Sequence, residues 1–375
     1  MSAAAPPPAT GRPSGGRTRA VGFACAAIGC VGLPALVAGL DIDAPAASGE
    51  LERLRAAWAG TSGTELGRQF EVATLPATAE WPTAAGKQHG LLAMARLMQV
   101  LAMFAVSALC YFVVVLARGR LPALVTTAGL VLLPAVYEHG HVLRPETAAV
   151  TFALLGLLLL QLTAHAVHQR RRRGRLRRVV VLLGLLTTAS FAMGLALGTR
   201  PTMGGILLVP IALFMLATLQ TALRGLRIGR RRGFLAWPAH AITQRLWPIA
   251  TVALLAPLAG ALCMVGSLKV PADRVTGSEL AARALPESPL GAWTLLALAG
   301  LGAITFVVRT GVRFGRRGRL GPDLVLLAYA GTQILYVTNV DGRFDPLPAA
   351  PALAVLIGEG LFGIVALLAW LNARR

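Results

Sequence analysis

Residues 90–120 read GLLAMARLMQVLAMFAVSALCYFVVVLARGR. Arg96 is the only charged side chain before Arg118 and Arg120 close the run. An α-helix needs about 20 predominantly apolar residues to cross ~30 Å of hydrocarbon, and this stretch is longer than that. It reads as a membrane span that ends at a basic boundary.

Working outward, comparable stretches lie at 20–40, 121–137, 147–167, 179–197, 202–223, 247–268, 291–308, 321–339 and 348–370. The expected fold class is all-α: a polytopic integral membrane protein with about ten transmembrane helices and no large soluble domain. Short loops at Glu138–Glu146 and Gly198–Thr202 separate 121–137 and 179–197 from the next stretch. Merging either pair would lower the count to eight or nine but would leave a stretch too long for one span.

Composition agrees. Of 375 residues 55% are hydrophobic and only 14% charged, whereas soluble domains carry about 25% charge. The net charge of +20 is explained by where the basic residues fall. With the N-terminus cytoplasmic, inner segments hold 25 of the 36 Lys and Arg, and outer segments hold ten together with 14 of the 16 acids. This is the positive-inside pattern, so both termini are expected in the cytoplasm of a cell whose inner (plasma) membrane holds the chain. The arginine runs lack interleaved aromatics, which speaks against nucleic acid, and they suit anionic membrane lipids. The excess of Arg over Lys and the abundance of Ala, Gly and Leu fit a high-GC bacterial genome.

Residues 1–19, with Pro6–Pro8 and Gly15–Gly16, lack apolar periodicity and read as a disordered cytoplasmic tail. The transmembrane domain covers 20–370, and 371–375 form a cytoplasmic end. The apolar run at 17–40 exceeds the usual signal-peptide core and has no clean small-x-small site, so it reads as an uncleaved span. In the first outer loop, 41–89, Leu51, Leu54 and Trp58 share a helical face, as in an amphipathic helix lying along the membrane or capping the bundle. All four cysteines fall inside predicted spans and form no disulfide or metal pattern.

Polar residues gather at the outer ends of the spans. Asp41-Ile42-Asp43 follows the first span, and Tyr137–Glu146 crowds Glu138, His139, His141, Arg144 and Glu146 between the third and fourth. Ionisable groups at the edge of a low-dielectric slab pair with one another or serve a site. Arg200 is the only charge between Val179 and Leu223 and requires an anion; a lipid phosphate is one candidate, and snorkelling to head groups is the other reading. Asp341-Gly342-Arg343-Phe344-Asp345 precedes the last span. His139-x-His141 near Glu138 and Glu146 supplies metal-ligand types, but one H-x-H falls short of the spacing of a zinc site, and no cofactor or metal is assigned. Arg96 lies in the outer part of its span and Glu359 near the middle of the last one, where a carboxylate is a candidate for proton or ion coupling or for a neutral inter-helix hydrogen bond. No phosphate-binding loop, dinucleotide fingerprint or nucleophile elbow is present.

Taken in order, the acid after span one, the polar start at Gln88-His89-Gly90, the segment Leu143-Arg144-Pro145-Glu146-Thr147-Ala148, the segment Gly194–Thr202 and Arg343-Phe344-Asp345-Pro346-Leu347-Pro348 resemble the polytopic GT-C-type glycosyltransferases. These include the protein O-mannosyltransferases and the lipid A aminoarabinose transferases. The resemblance covers roughly 20–220 and 335–370. It implies inverting transfer of a sugar from a polyprenyl-phosphate-linked donor to an acceptor at the extracytoplasmic face: a glycan, lipid or protein that the sequence leaves open.

A carboxylate general base would take the acceptor proton, with Asp43 leading, Asp41 beside it and Glu138 as partner or substitute. Arg200 and Arg343 would contact phosphate, Arg144 would contact phosphate or hold Glu138, and His139 and His141 would line the site. Asp41-x-Asp43 is followed by Ala44-Pro45 where the family commonly has an aromatic, a departure that leaves either Asp, or neither, as the base. Family members often also carry a large C-terminal outer domain that binds the acceptor; the sequence runs to Asn372-Ala373-Arg374-Arg375 after the tenth span, and the acceptor is not legible from it. A transporter or flippase using Glu359, and a non-catalytic assembly subunit of the same fold, are the competing expectations.

Overall fold

The computed structural model describes residues 85–139, 145–168, 175–200, 203–206, 208–209, 212–213, 273–317, 322–335, 337–340 and 346–372, together with Arg55. The expected tail 1–19, the span 20–40, the amphipathic helix of the first loop and the span 247–268 lie outside these residues, and 202–223 lies largely outside.

The described chain is helical: α1 (Ala85–Arg118), α2 (Arg120–Leu132), α3 (Pro134–His139), α4 (Pro145–His168), α5 (Arg175–Thr199), α6 (Gly277–Arg283), α7 (Pro289–Arg317), α8 (Pro322–Leu335) and α9 (Ala350–Asn372). Five described helices are long and apolar enough to cross a membrane, namely Gln88–Arg118, Glu146–Ala164, Val180–Thr199, Pro289–Arg313 and Ala350–Asn372. The protein is an all-α polytopic membrane protein, as its apolar blocks predict. One departure is a two-stranded antiparallel ribbon, β1 (Asp273–Thr276) with β2 (Val337–Val340), in which Asp273 pairs with Val340 and Thr276 with Val337. β2 occupies the end of the predicted 321–339 span, so the helix there stops at Leu335.

Proline marks where helices begin. α3, α4, α7 and α8 each start at one, because the first helical turn needs no N–H bond from the ring nitrogen. The predicted 121–137 span is broken for the same reason: Leu133, before Pro134, is extended with φ −64° and ψ 131°, the region a residue preceding proline favours. Between α1 and α2 the turn rests on Gly119, whose φ of 96° is accessible to glycine without strain.

Helix order in space follows from close contacts. On α4, Gly156 faces Ala189 and Met193 of α5 so tightly that a methyl group there would meet Met193 Cγ at 2.8 Å. With Glu146 beside Arg200, this makes the pair antiparallel. α7 and α9 cross in close contact, with Gly302 against Leu356 and Gly360 against Leu298. On another side of α9, Gly358 meets Thr126 of α2. Small residues let helix backbones approach in this way where apolar burial gives no net drive between lipid-facing helices. Tyr329, Phe306, Met103, Leu154, Leu157 and Met193 fill the interior.

Candidate functional site

Two buried polar clusters are set apart along α1, one beside Gln99 near its middle and one at Arg118, its last residue. Between Gln99 and Arg118 the helix carries no charge, and this interval spans about 29 Å at 1.5 Å per residue, close to one hydrocarbon thickness.

The first cluster forms where the middle of α1 passes the start of α4 and the end of α5. Pro145 opens α4 and leaves Glu146 in its first turn, where the positive end of the helix dipole favours an acid. α5 ends at Thr199, and the chain then turns: Arg200 N–H donates to Ala196 O at 3.1 Å, and Met203 N–H donates to Arg200 O at 3.1 Å. This turn brings Arg200 Nε to 2.8 Å from Glu146 Oε1. It is a close ionic contact and not an aligned hydrogen bond, since Nε has no partner in hydrogen-bond geometry. Beside it, the Gln99 amide of α1 donates to the Thr147 hydroxyl. Arg96, one turn earlier on α1, is buried. Gly205 packs against Thr332 and Gln333 of α8, so α8 borders the same end.

Arg200 therefore has its anion within the protein: the Glu146 carboxylate. Nε is buried while the side chain as a whole keeps 29% of its exposure, so the accessible part lies on its other atoms. A guanidinium can be oriented through Nε by one carboxylate and still offer its Nη edge to a second anion.

Of the site residues predicted from sequence, Arg200 is placed with its side chain. Glu138 and His139 form the end of α3, but their side chains lie outside the described residues, as do Asp41, Asp43, His141, Arg144 and Arg343 altogether. Gln99 and Thr147 did not stand out in the sequence. The signal that could have found them is the i, i+3 spacing of Arg96 and Gln99 in an otherwise apolar span, facing a helix start rich in polar residues. Among the described residues no three His, Cys, Asp or Glu side chains come together as a metal site.

The second cluster surrounds Glu359. Its Oε1 lies 2.7 Å from Arg118 Nε, and its Oε2 lies 3.7 Å from Arg309 Nη1. Arg118 also reaches Asp323 at 3.5 Å, donates to the Thr310 hydroxyl at 2.9 Å and stacks over Phe306 with its guanidinium carbon 4.2 Å from the ring centre. Arg313 Nη1 contacts Asp323 at 2.6 Å. The carboxylate that sequence places alone in the membrane is thus matched by Arg118. Arg118, which in the sequence closes the apolar run of α1, and Asp323 belong to the same network.

No known protein family matches the chain, and no curated protein matches it significantly. Among solved structures it is similar to ArnT from Cupriavidus metallidurans in the apo state, with 16% identity over 92% of this chain and 60% of that one and a TM-score of 0.50. A second structure of that protein, bound to undecaprenyl phosphate, aligns over 94% and 61% at 14% identity with a TM-score of 0.47. The chain spans about 60% of the length of the solved protein. At this identity the likeness is one of fold, and that fold is the GT-C-like one implied by the order of the motifs.

Proposed function

We propose that this GT-C-like fold carries a membrane glycosyltransferase, which moves a sugar from a polyprenyl-phosphate-linked donor to an acceptor at the end of the bundle where Glu146 and Arg200 meet. The observation that supports it is the Arg200–Glu146 pair at 2.8 Å, a partly accessible guanidinium held at a helix end away from the arginine runs. In the reaction the acceptor oxygen attacks the anomeric carbon, the bond from that carbon to the donor phosphate breaks, and polyprenyl phosphate leaves with inversion. The leaving group gains negative charge as the bond breaks, so fixed cations at its oxygens lower the barrier. Arg200 is assigned that role, with Arg144 and Arg343 as further phosphate contacts and His139 and His141 lining the site. The acceptor proton passes to a carboxylate, assigned to Asp43 with Asp41 beside it and Glu138 as its partner. On this reading the Glu146 end faces outward across the inner membrane, and both termini are cytoplasmic.

The test is sugar transfer in membranes supplied with a labelled polyprenyl-phosphate donor. Asp43→Ala is expected to abolish transfer while the protein still inserts. Full activity in the Asp41/Asp43 double alanine variant removes the base assignment.

A further inference from the structure

The cluster at the C-terminal end of α1 is unbalanced. Three guanidinium groups, Arg118, Arg309 and Arg313, face two carboxylates, Glu359 and Asp323. Arg118 is fully enclosed, and Arg313 is committed to Asp323 at 2.6 Å. The surplus falls on Arg309: its contact with Glu359 is 3.7 Å, beyond hydrogen-bond distance, and 41% of its side chain is exposed. One turn on, Arg313 shares this face of α7 and is also partly exposed. Around them Ile304, Val307, Val308 and Val312 are exposed, which is the lipid-facing surface of a membrane helix.

We infer that Arg309, supported by Arg313, holds the phosphodiester headgroup of an anionic phospholipid from the leaflet at the arginine-rich end. Charge complementarity selects this occupant: among the described residues the acids of this cluster leave one cation over, and the apolar residues beside it accept acyl chains. A guanidinium fork fits two phosphate oxygens. The site lies at the opposite end from the Arg200 cluster and does not depend on the transferase reading.

The full chain, reconstituted in nanodiscs of phosphatidylcholine with or without phosphatidylglycerol, is released into native mass spectrometry and its retained lipids are counted. Phosphatidylglycerol is expected to be retained over phosphatidylcholine. Arg309→Gln should lower that retention about five-fold, the loss of one direct guanidinium–phosphate contact, while Arg309→Lys should hold it within about two-fold. Arg120→Gln, an exposed arginine outside the network, is expected to leave retention unchanged. Equal losses in Arg309→Gln and Arg120→Gln, equal retention of both lipids, or displacement by millimolar inorganic phosphate would overturn the assignment. So would a shift of the wild-type chain to a dimer that occupies this face and that Arg309→Gln dissolves.

Discussion

Glu146 Oε1 sits 2.8 Å from Arg200 Nε, joining the first turn of α4 to the residue that follows α5. The contact closes the end of an antiparallel helix pair and fixes the direction of the only cation in its stretch of chain.

If Glu146 orients Arg200, the two residues act as a unit. Alanine at either position is expected to weaken binding of polyprenyl phosphate about ten-fold, and the double variant little more than that. A double-mutant cycle on ligand affinity should therefore give a coupling of about 1–1.4 kcal/mol, nearly the whole of either single loss. Strictly additive losses would separate the two roles.

Arg118 and Glu359 are expected to behave as a buried pair. Arg118→Met leaves Glu359 with Arg309 alone at 3.7 Å, and removing one partner of a buried pair costs about 3–5 kcal/mol. The double variant Arg118→Met/Glu359→Met removes both charges and should recover part of that loss. Equilibrium unfolding in mild detergent measures both. A double variant less stable than Arg118→Met would contradict the pairing.

The α7–α9 contact gives a paired test on one helix. A methyl group at Gly302 would run into Leu356 O, a backbone atom that has no rotamer to escape through, whereas at Gly300 it meets nothing within 4 Å. Gly302→Ala is expected to lower stability by about 1–3 kcal/mol, the usual range for overpacking. Gly300→Ala should be neutral or slightly stabilising, because alanine is the better helix former. Thermal unfolding of the two variants side by side separates close packing from propensity.

For the proposed chemistry, Asp43→Asn should slow transfer by about 10² to 10⁴ without altering donor binding, as expected for loss of a general base. Single-turnover assays at saturating donor read that rate. A proportional loss of donor affinity would instead mark Asp43 as a binding residue.

The span architecture was legible because each helix announces itself locally: α1 as an apolar run closed by arginines, α4, α7 and α8 by the proline that opens them. What sequence could not carry was partnership. Glu359 stood among glycines with no visible counter-ion, because Arg118 belongs to a helix far away in the chain. Arg200 called for an anion, yet the choice between a lipid phosphate and Glu146 rests on how α5 packs against α4. The ribbon was missed because Val337 closely follows the apolar run of α8 and Val337–Val340 is too short to stand out, and only pairing with Asp273–Thr276 makes it a strand.

The Arg118–Glu359 pair also imposes an order on biosynthesis. Arg118 leaves the ribosome 241 residues before Glu359, about 12 to 48 s at typical elongation rates of roughly 5–20 residues per second. During that interval the growing chain holds a cation at the membrane edge without its final counter-ion. Asp323, which emerges earlier and lies 3.5 Å from Arg118 in the finished fold, is available as a first acceptor. Arrival of α9 then completes the charge pairing, so the last helix acts as the closing step of assembly.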